Sequence, residues 1–144
     1  MTPVRPVIEH MSLGTTDLKR AIAFYDAVLA PLGLVKVADY SDDGGTSACW
    51  GPAGALPAPD SPPGSAPFWV ELRPDPIQCP PGFHLCFCAP DRAAVHAFHA
   101  AGLANGGTDN GGPGPRPQYG ETYYAAFIKD PDGWRIEAVT YSAQ

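Results

Sequence analysis

Positive charge is scarce in this sequence. Nine Lys and Arg stand against fifteen Asp and Glu, for a formal net charge of −6 and a pI near 4.9, and the cations are scattered along the chain. Binding a nucleic-acid backbone needs clustered cations that neutralise several phosphates together, so that class of partner is excluded. An anionic surface gives no general attraction for acidic molecules either. Long apolar runs are also missing. No stretch reaches the roughly 18 apolar residues of a membrane span, and no charged start leads into a short apolar segment of the secretory kind. A soluble, cytoplasmic protein without a membrane partner is expected. Cysteine is sparse, at positions 49, 79, 86 and 88. A chain of 144 residues buries roughly two thirds of its unfolded surface, so it needs no disulfide or metal merely to fold. Cys-x-Cys at 86 and 88 is not the Cys-x-x-Cys of zinc and redox sites. Reduced thiols are expected, and any metal would serve function.

Proline and glycine are abundant, at 18 and 16 residues, but unevenly spread. Residues 51–67, GPAGALPAPDSPPGSAP, hold nine and residues 106–120, GGTDNGGPGPRPQYG, hold nine more. Both stretches read as long loops, leaving the remainder free for regular structure; loops of that length in a compact domain are often lids or dimer arms. The remainder contains a repeat. Shifted by 74 positions, His10 falls on His84, Leu13 on Phe87, Asp17 on Asp91, Phe24 on Phe98, Leu29 on Leu103 and Gly33 on Gly107. One offset held from His10 to Gly33 indicates a duplicated structural unit.

Each unit reads as β-α-β-β-β. Residues 7–14 alternate as a strand. Thr16 or Asp17 then caps a helix whose apolar positions 18, 21, 22, 25, 28, 29 and 32 share one face, and Gly33 closes it. Residues 34–40, 46–50 and 67–73 give three more strands. The second copy offers a strand at 83–89, a helix at 91–103 capped by Asp91, a possible strand after the glycine-rich loop, and two final strands in TYYAAFIKD and WRIEAVTY. The last two are joined by a turn at Asp130–Gly133, where Pro and Gly sit at the positions such a turn favours.

These paired modules, a His on the first strand of each, the stretch HMSLGTTDLKRAIAFYDAVLAPLGL and the ending DPDGWRIEAV resemble the vicinal oxygen chelate superfamily, which includes glyoxalase I, the fosfomycin and bleomycin resistance proteins and the extradiol dioxygenases. The resemblance covers nearly the whole chain. It implies an α+β fold: a single domain over 1–144 in which two tandem βαβββ modules, about 5–75 and 80–142, form a curved mixed sheet around an open cavity. It further implies a divalent metal held by His10, Glu71, His84 and Glu137, from the first and last strand of each module. Imidazole and carboxylate together suit Zn, Ni, Fe or Mn and argue against Ca.

Strand parity points the same way independently. Glu71 shares a strand face with Trp69 and Arg73 and opposes Phe68, Val70 and Leu72; His84 shares one with Cys86 and Cys88; Glu137 opposes Ile136 and Ala138. Each presumed ligand faces away from the aliphatic side that should meet a helix. Glu71 has an alternative, because the repeat offset fails near it, and it could pair with Arg73. His96 and His99, on the exposed face of the second helix, are expected in water. Cys86 could be a soft ligand but reads better as a packed thiol. Trp69, Tyr119, Tyr123 and Tyr124 are candidates for a substrate pocket, with ordinary core and dimer packing as the alternative.

By resemblance to lactoylglutathione lyase, the expected function is a metal-dependent lyase or isomerase. Its substrate would be a small molecule with vicinal oxygens, whose enediolate-like charge the metal stabilises while Glu137 or Glu71 moves the neighbouring proton. Glu71 leans against an extradiol dioxygenase, which uses two His and one Glu. The dispersed arginines show no cluster for the carboxylates of a glutathione adduct. The competing class is a non-catalytic, bleomycin-resistance-like binder with an aromatic, metal-free cavity. A homodimer is expected, from the resemblance and from the length of the 51–67 arm.

Overall fold

The computed structural model of the chain describes residues 7–57 and 66–144. Asp17 and Asp91, equivalent under the repeat, each begin a helix by accepting the backbone N–H three residues on, that of Arg20 and of Ala94. These are donors that a first turn leaves without an intrahelical partner. The two helices are α1, Leu18–Leu29, and α2, Arg92–Ala104. All the apolar positions expected of the first helical face are buried, and Phe24 joins them. Gly33 follows a short 3₁₀ turn with φ at 80°, the left-handed conformation that favours glycine at a helix end.

Eight strands make two sheets of one topology. The first sheet contains β1 (Met11–Thr15), β2 (Leu34–Asp39), β3 (Ser47–Pro52) and β4 (Phe68–Leu72), in the order β1-β4-β3-β2. The second contains β5 (Leu85–Cys88), β6 (Thr108–Pro115), β7 (Tyr124–Lys129) and β8 (Arg135–Thr140), in the order β5-β8-β7-β6. The first and last strand of each module pair in parallel and the other neighbours are antiparallel. The fold is therefore α+β with two βαβββ modules, as expected. One face of each sheet shares a single core with both helices, through Leu13, Phe68, Val70 and Trp50 in the first and Ile128, Ile136 and Ala138 in the second. Among the described residues no helix is long and apolar enough to cross a membrane.

Two expectations need correction. Strand β1 begins at Met11, not at residue 7, which leaves His10 just before it, outside the ladder. The stretch 106–120 is not simply a loop, because residues 108–115 form β6. Proline is tolerated there because β6 lies at the sheet edge, where an N–H need not be donated inward, and the pairing breaks register between Asp109 and Gly111 and again before Gly114. The Arg116 guanidinium donates to the carbonyls of Gly112, Gly114 and Pro115, supplying donors that a regular neighbour would have given. The centre of the 51–67 arm, residues 58–65, lies outside the described residues.

The turn between β7 and β8 joins the two modules. The Asp132 carboxylate accepts from Thr15 Oγ1 at 2.5 Å, from the backbone N–H and Oγ1 of Thr16 at 3.1 Å each, and from Arg20 at 2.8 Å. Asp130 accepts from the Tyr25 hydroxyl at 2.6 Å and from the N–H groups of Asp132 and Trp134. Trp134 donates through Nε1 to the carbonyl of Gly14. Burial pushes the Asp130 carboxyl up to about 6 and the Tyr25 phenol well above its usual value.

Candidate functional site

Glu137 is a carboxylate where the strand pattern calls for burial without charge. It lies in mid-β8, 1% exposed, between Cys86 on β5 and Phe127 on β7. A buried carboxylate is tolerated when its oxygens find donors, and both do. Tyr123 donates its O–H to Oε1 at 2.5 Å, and His84 Nε2 lies 3.0 Å from Oε2. His84 sits one residue before β5 with its side chain half exposed, in an open cleft of about 260 Å³ that Phe83, Asn110, Tyr119, Phe127 and Arg135 also line. Arg135 donates to the carbonyls of Pro80 and Phe83, fixing the loop that delivers His84. The Cys86 thiol is pushed up, first by desolvation against the sheet and then by the negative charge of Glu137. Cys86 is exposed, so it is not the packed thiol expected of it.

The superfamily resemblance implies a divalent metal, to which His84 and Glu137 would offer one nitrogen and one carboxylate oxygen. The 3.0 Å between His84 Nε2 and Glu137 Oε2 is a hydrogen-bond distance, and a tetrahedral ion with ligands at about 2.1 Å would part them to about 3.4 Å. Nitrogen and carboxylate oxygen are donors for first-row divalent ions.

The first module is arranged differently. Glu71 lies on β4 and pairs with Arg73 at 3.1 Å, its side chain 39% exposed; that is the alternative the sequence left open. His10 Nδ1 lies 2.5 Å from the carboxylate of its neighbour Glu9. In register, Met11 faces Phe68 while its equivalent Leu85 faces Ile136. Trp69 therefore occupies the position that Glu137 holds in the second sheet, and Glu71 the position of Val139, two residues along. The Trp69 indole donates to the carbonyl of Ala66, and its ring lies parallel to that of Tyr40, centroids 6.5 Å apart. Glu71 opens on a separate cleft of about 350 Å³ with Ser12, Arg73, Asp75, Ile77 and Trp134. Consecutive residues Trp134, just before β8, and Arg135, its first residue, turn to different clefts. Among the described residues of one chain, no three of His, Cys, Asp and Glu form a group able to hold a metal ion.

The aromatic candidates divide as well. Tyr119, 63% exposed, and Tyr141 each contact the Tyr123 ring at 5.4 Å between centroids, so three tyrosines line the approach to Glu137. Tyr124 faces the helix side, its hydroxyl 2.6 Å from His96 Nε2 and its ring under the Arg92 guanidinium. His99 pairs with Asp109 at 2.8 Å, so neither helix histidine is simply solvated. The sequence reading missed Tyr141, although it shares strand parity with Glu137, and it missed Tyr40, Arg135 and the Asp132 clamp, whose partners are remote in sequence.

Comparison with known proteins agrees with this architecture. A glyoxalase/bleomycin resistance protein from Albidiferax ferrireducens T118 is 30% identical, with a TM-score of 0.72 over 93% of this chain and 98% of its own. A glyoxalase/bleomycin resistance protein/dioxygenase family enzyme from Burkholderia phytofirmans PsJN shares the fold at 16% identity, with a TM-score of 0.63 over 94% of this chain and 98% of its own. Glyoxalase I from Zea mays is 23% identical, with a TM-score of 0.61 over 92% of this chain but 45% of its own. No curated protein matches the sequence significantly. Residues 7–138 match the sequence pattern described as Glyoxalase/Bleomycin resistance protein/Dioxygenase superfamily, and the chain belongs to that superfamily.

Proposed function

We propose that the protein is a glyoxalase-like, metal-dependent lyase or isomerase acting, as a homodimer, on a small molecule with two adjacent oxygens. The observation that carries this reading is the His84–Glu137 pair, an imidazole and a buried carboxylate 3.0 Å apart. A Zn, Ni, Fe or Mn ion held by His84 and Glu137, with His10 and Glu71 completing the set, would supply Lewis acidity toward the two substrate oxygens. Glu137 has both oxygens engaged, which suits a fixed ligand. Glu71 is held by a solvent-exposed ion pair with Arg73, a contact worth about 1 kcal/mol or less. It is the carboxylate free to take a proton from the substrate and return it. Glu71 and His84 open on different clefts, so the reading calls for the first module of one subunit to face the second module of its partner.

The arginines bear on the substrate. Of the six, Arg5 lies outside the described residues. Arg20 serves Asp132, Arg73 serves Glu71, Arg92 serves the Ser142 carbonyl, and Arg116 and Arg135 serve backbone carbonyls. Four of these five are tied to backbone carbonyls or to the Asp132 clamp, and of the five only Arg73, in its exposed pair with Glu71, could meet a negative group, which favours a neutral or singly charged substrate. The test is metal content, measured by plasma mass spectrometry on protein purified without an affinity tag, beside turnover. Wild type should carry about one ion per site, and His84→Ala and Glu137→Gln should lose both metal and activity. A metal-free wild type whose ligand uptake ignores both changes would sink the reading. One observation favours a second reading, that of a metal-free binder: Trp69, parallel to Tyr40, stands where a carboxylate would be expected. In that case Trp69→Ala alone should abolish ligand uptake.

A further inference from the structure

Tyr123 was expected to turn its ring toward a substrate, yet its hydroxyl is already engaged. It donates to Oε1 of Glu137 at 2.5 Å, while Oε2 of the same carboxylate lies 3.0 Å from His84 Nε2. The Tyr123 ring contacts Tyr119 on one side and, edge-on, Tyr141 on another, both at 5.4 Å between centroids. The hydroxyl could not swing away without disrupting both contacts. A glutamate side chain has three rotatable torsions and can present one oxygen or both to a cation. With Oε1 tied to Tyr123 the carboxylate cannot rotate freely, and Oε2 is held on the side where His84 stands.

We infer that Tyr123 is a positioning residue for the cation site: it fixes the Glu137 carboxylate so that Oε2 stands beside His84 Nε2. The inference rests on the reading of His84 and Glu137 as metal ligands. Outer-shell hydrogen bonds to metal ligands are typically worth about 10- to 100-fold in affinity, because they remove the orientations a free ligand would have to abandon on binding.

The experiment titrates the full-length chain, stripped of metal by a chelator, with Co²⁺. Calorimetry gives affinity and the cobalt d–d absorption reports coordination. Tyr123→Phe keeps both ring contacts and removes only the donor. It should weaken Co²⁺ binding by about 10- to 100-fold and alter the d–d spectrum as the Glu137 carboxylate becomes free to rotate. The melting temperature of the metal-free variant should also fall, since Oε1 loses its donor, but a purely structural role would produce that drop without changing the spectrum. Tyr123→Trp, whose indole N–H can still donate but cannot ligate cobalt, should recover part of the affinity and keeps the test decisive if the phenylalanine variant folds poorly. Wild-type Co²⁺ affinity and spectrum in Tyr123→Phe, with binding lost in His84→Ala and Glu137→Gln, would overturn the inference alone. Unchanged Co²⁺ binding in His84→Ala and Glu137→Gln would overturn the underlying reading, and the role of Tyr123 with it.

Discussion

The two modules share a strand order, a capping aspartate and a buried phenylalanine, yet at one register position the first carries Trp69 and the second Glu137. They differ again between their third and fourth strands, where the first has the proline-rich arm and the second the five-residue turn Asp130–Trp134. The shared parts are those that close a core, and the divergent parts are those that face a cleft or a neighbouring module. Core positions are constrained by packing at near-crystalline density, whereas a residue on the open face of a sheet is constrained only by what it meets. Duplication therefore supplies a repeated frame, and the two copies can carry different side chains at equivalent positions.

The comparison can be tested where it is strongest. Phe24 and Phe98 are equivalent and both fully buried, so Phe24→Ala and Phe98→Ala should each cost about 3–5 kcal/mol in urea denaturation. A difference between them well above 1 kcal/mol would show that the two copies do not share the core equally. The clamp, by contrast, is one-sided. Asp132→Ala removes the acceptor of four hydrogen bonds, one of them from Arg20, and should cost about 3 kcal/mol. Removing a clamp unique to the second module should leave each module's helix content near wild type by circular dichroism.

Asp130 predicts a pH dependence. Its folded-state value, about 6, lies above the usual carboxylate value, so the native state holds this proton more tightly than the unfolded chain does. Its contribution is complete below about pH 4 and is lost as the pH rises through about 6, at a cost of no more than about 3 kcal/mol. Asp130→Asn, which cannot ionise, should flatten that limb of the stability profile. An identical pH profile in the variant would mean that Asp130 does not titrate in this range. The smallest effect is expected at Glu71, where Glu71→Gln should change stability by about 1 kcal/mol or less, measured by thermal melting. A larger loss would mean that Glu71 is held by more than its exposed pair with Arg73.

Most of the frame was legible because it rests on local chemistry. Asp17 and Asp91 announce their helices through a donor three residues away, and the apolar spacing of α1 marks its buried face. Parity and resemblance also singled out His84 and Glu137, whose side chains meet, one just before β5 and the other within β8. What escaped depends on pairing partners that periodicity does not encode. The register that substitutes Trp69 for a carboxylate is set across β1 and β4. The orientation of Tyr124, its hydroxyl turned to His96 while the hydroxyl of Tyr123 meets Glu137, depends on where β7 begins. Strand β6 was hidden because prolines and glycines signal loops everywhere except at a sheet edge, and the arginine that completes that edge lies one residue past its end.

That same edge bears on how the protein behaves when concentrated. A strand at the border of a sheet offers unpaired amides and carbonyls to any other chain with strand-forming tendency, and this is a common route to aggregation. Along 112–115, Pro113 and Pro115 have no N–H to give, and the carbonyls of Gly112, Gly114 and Pro115 already accept from Arg116. A foreign strand arriving there would meet a border with most of its hydrogen-bonding capacity already used, so β6 resists edge-to-edge association in the crowded interior of a concentrated solution.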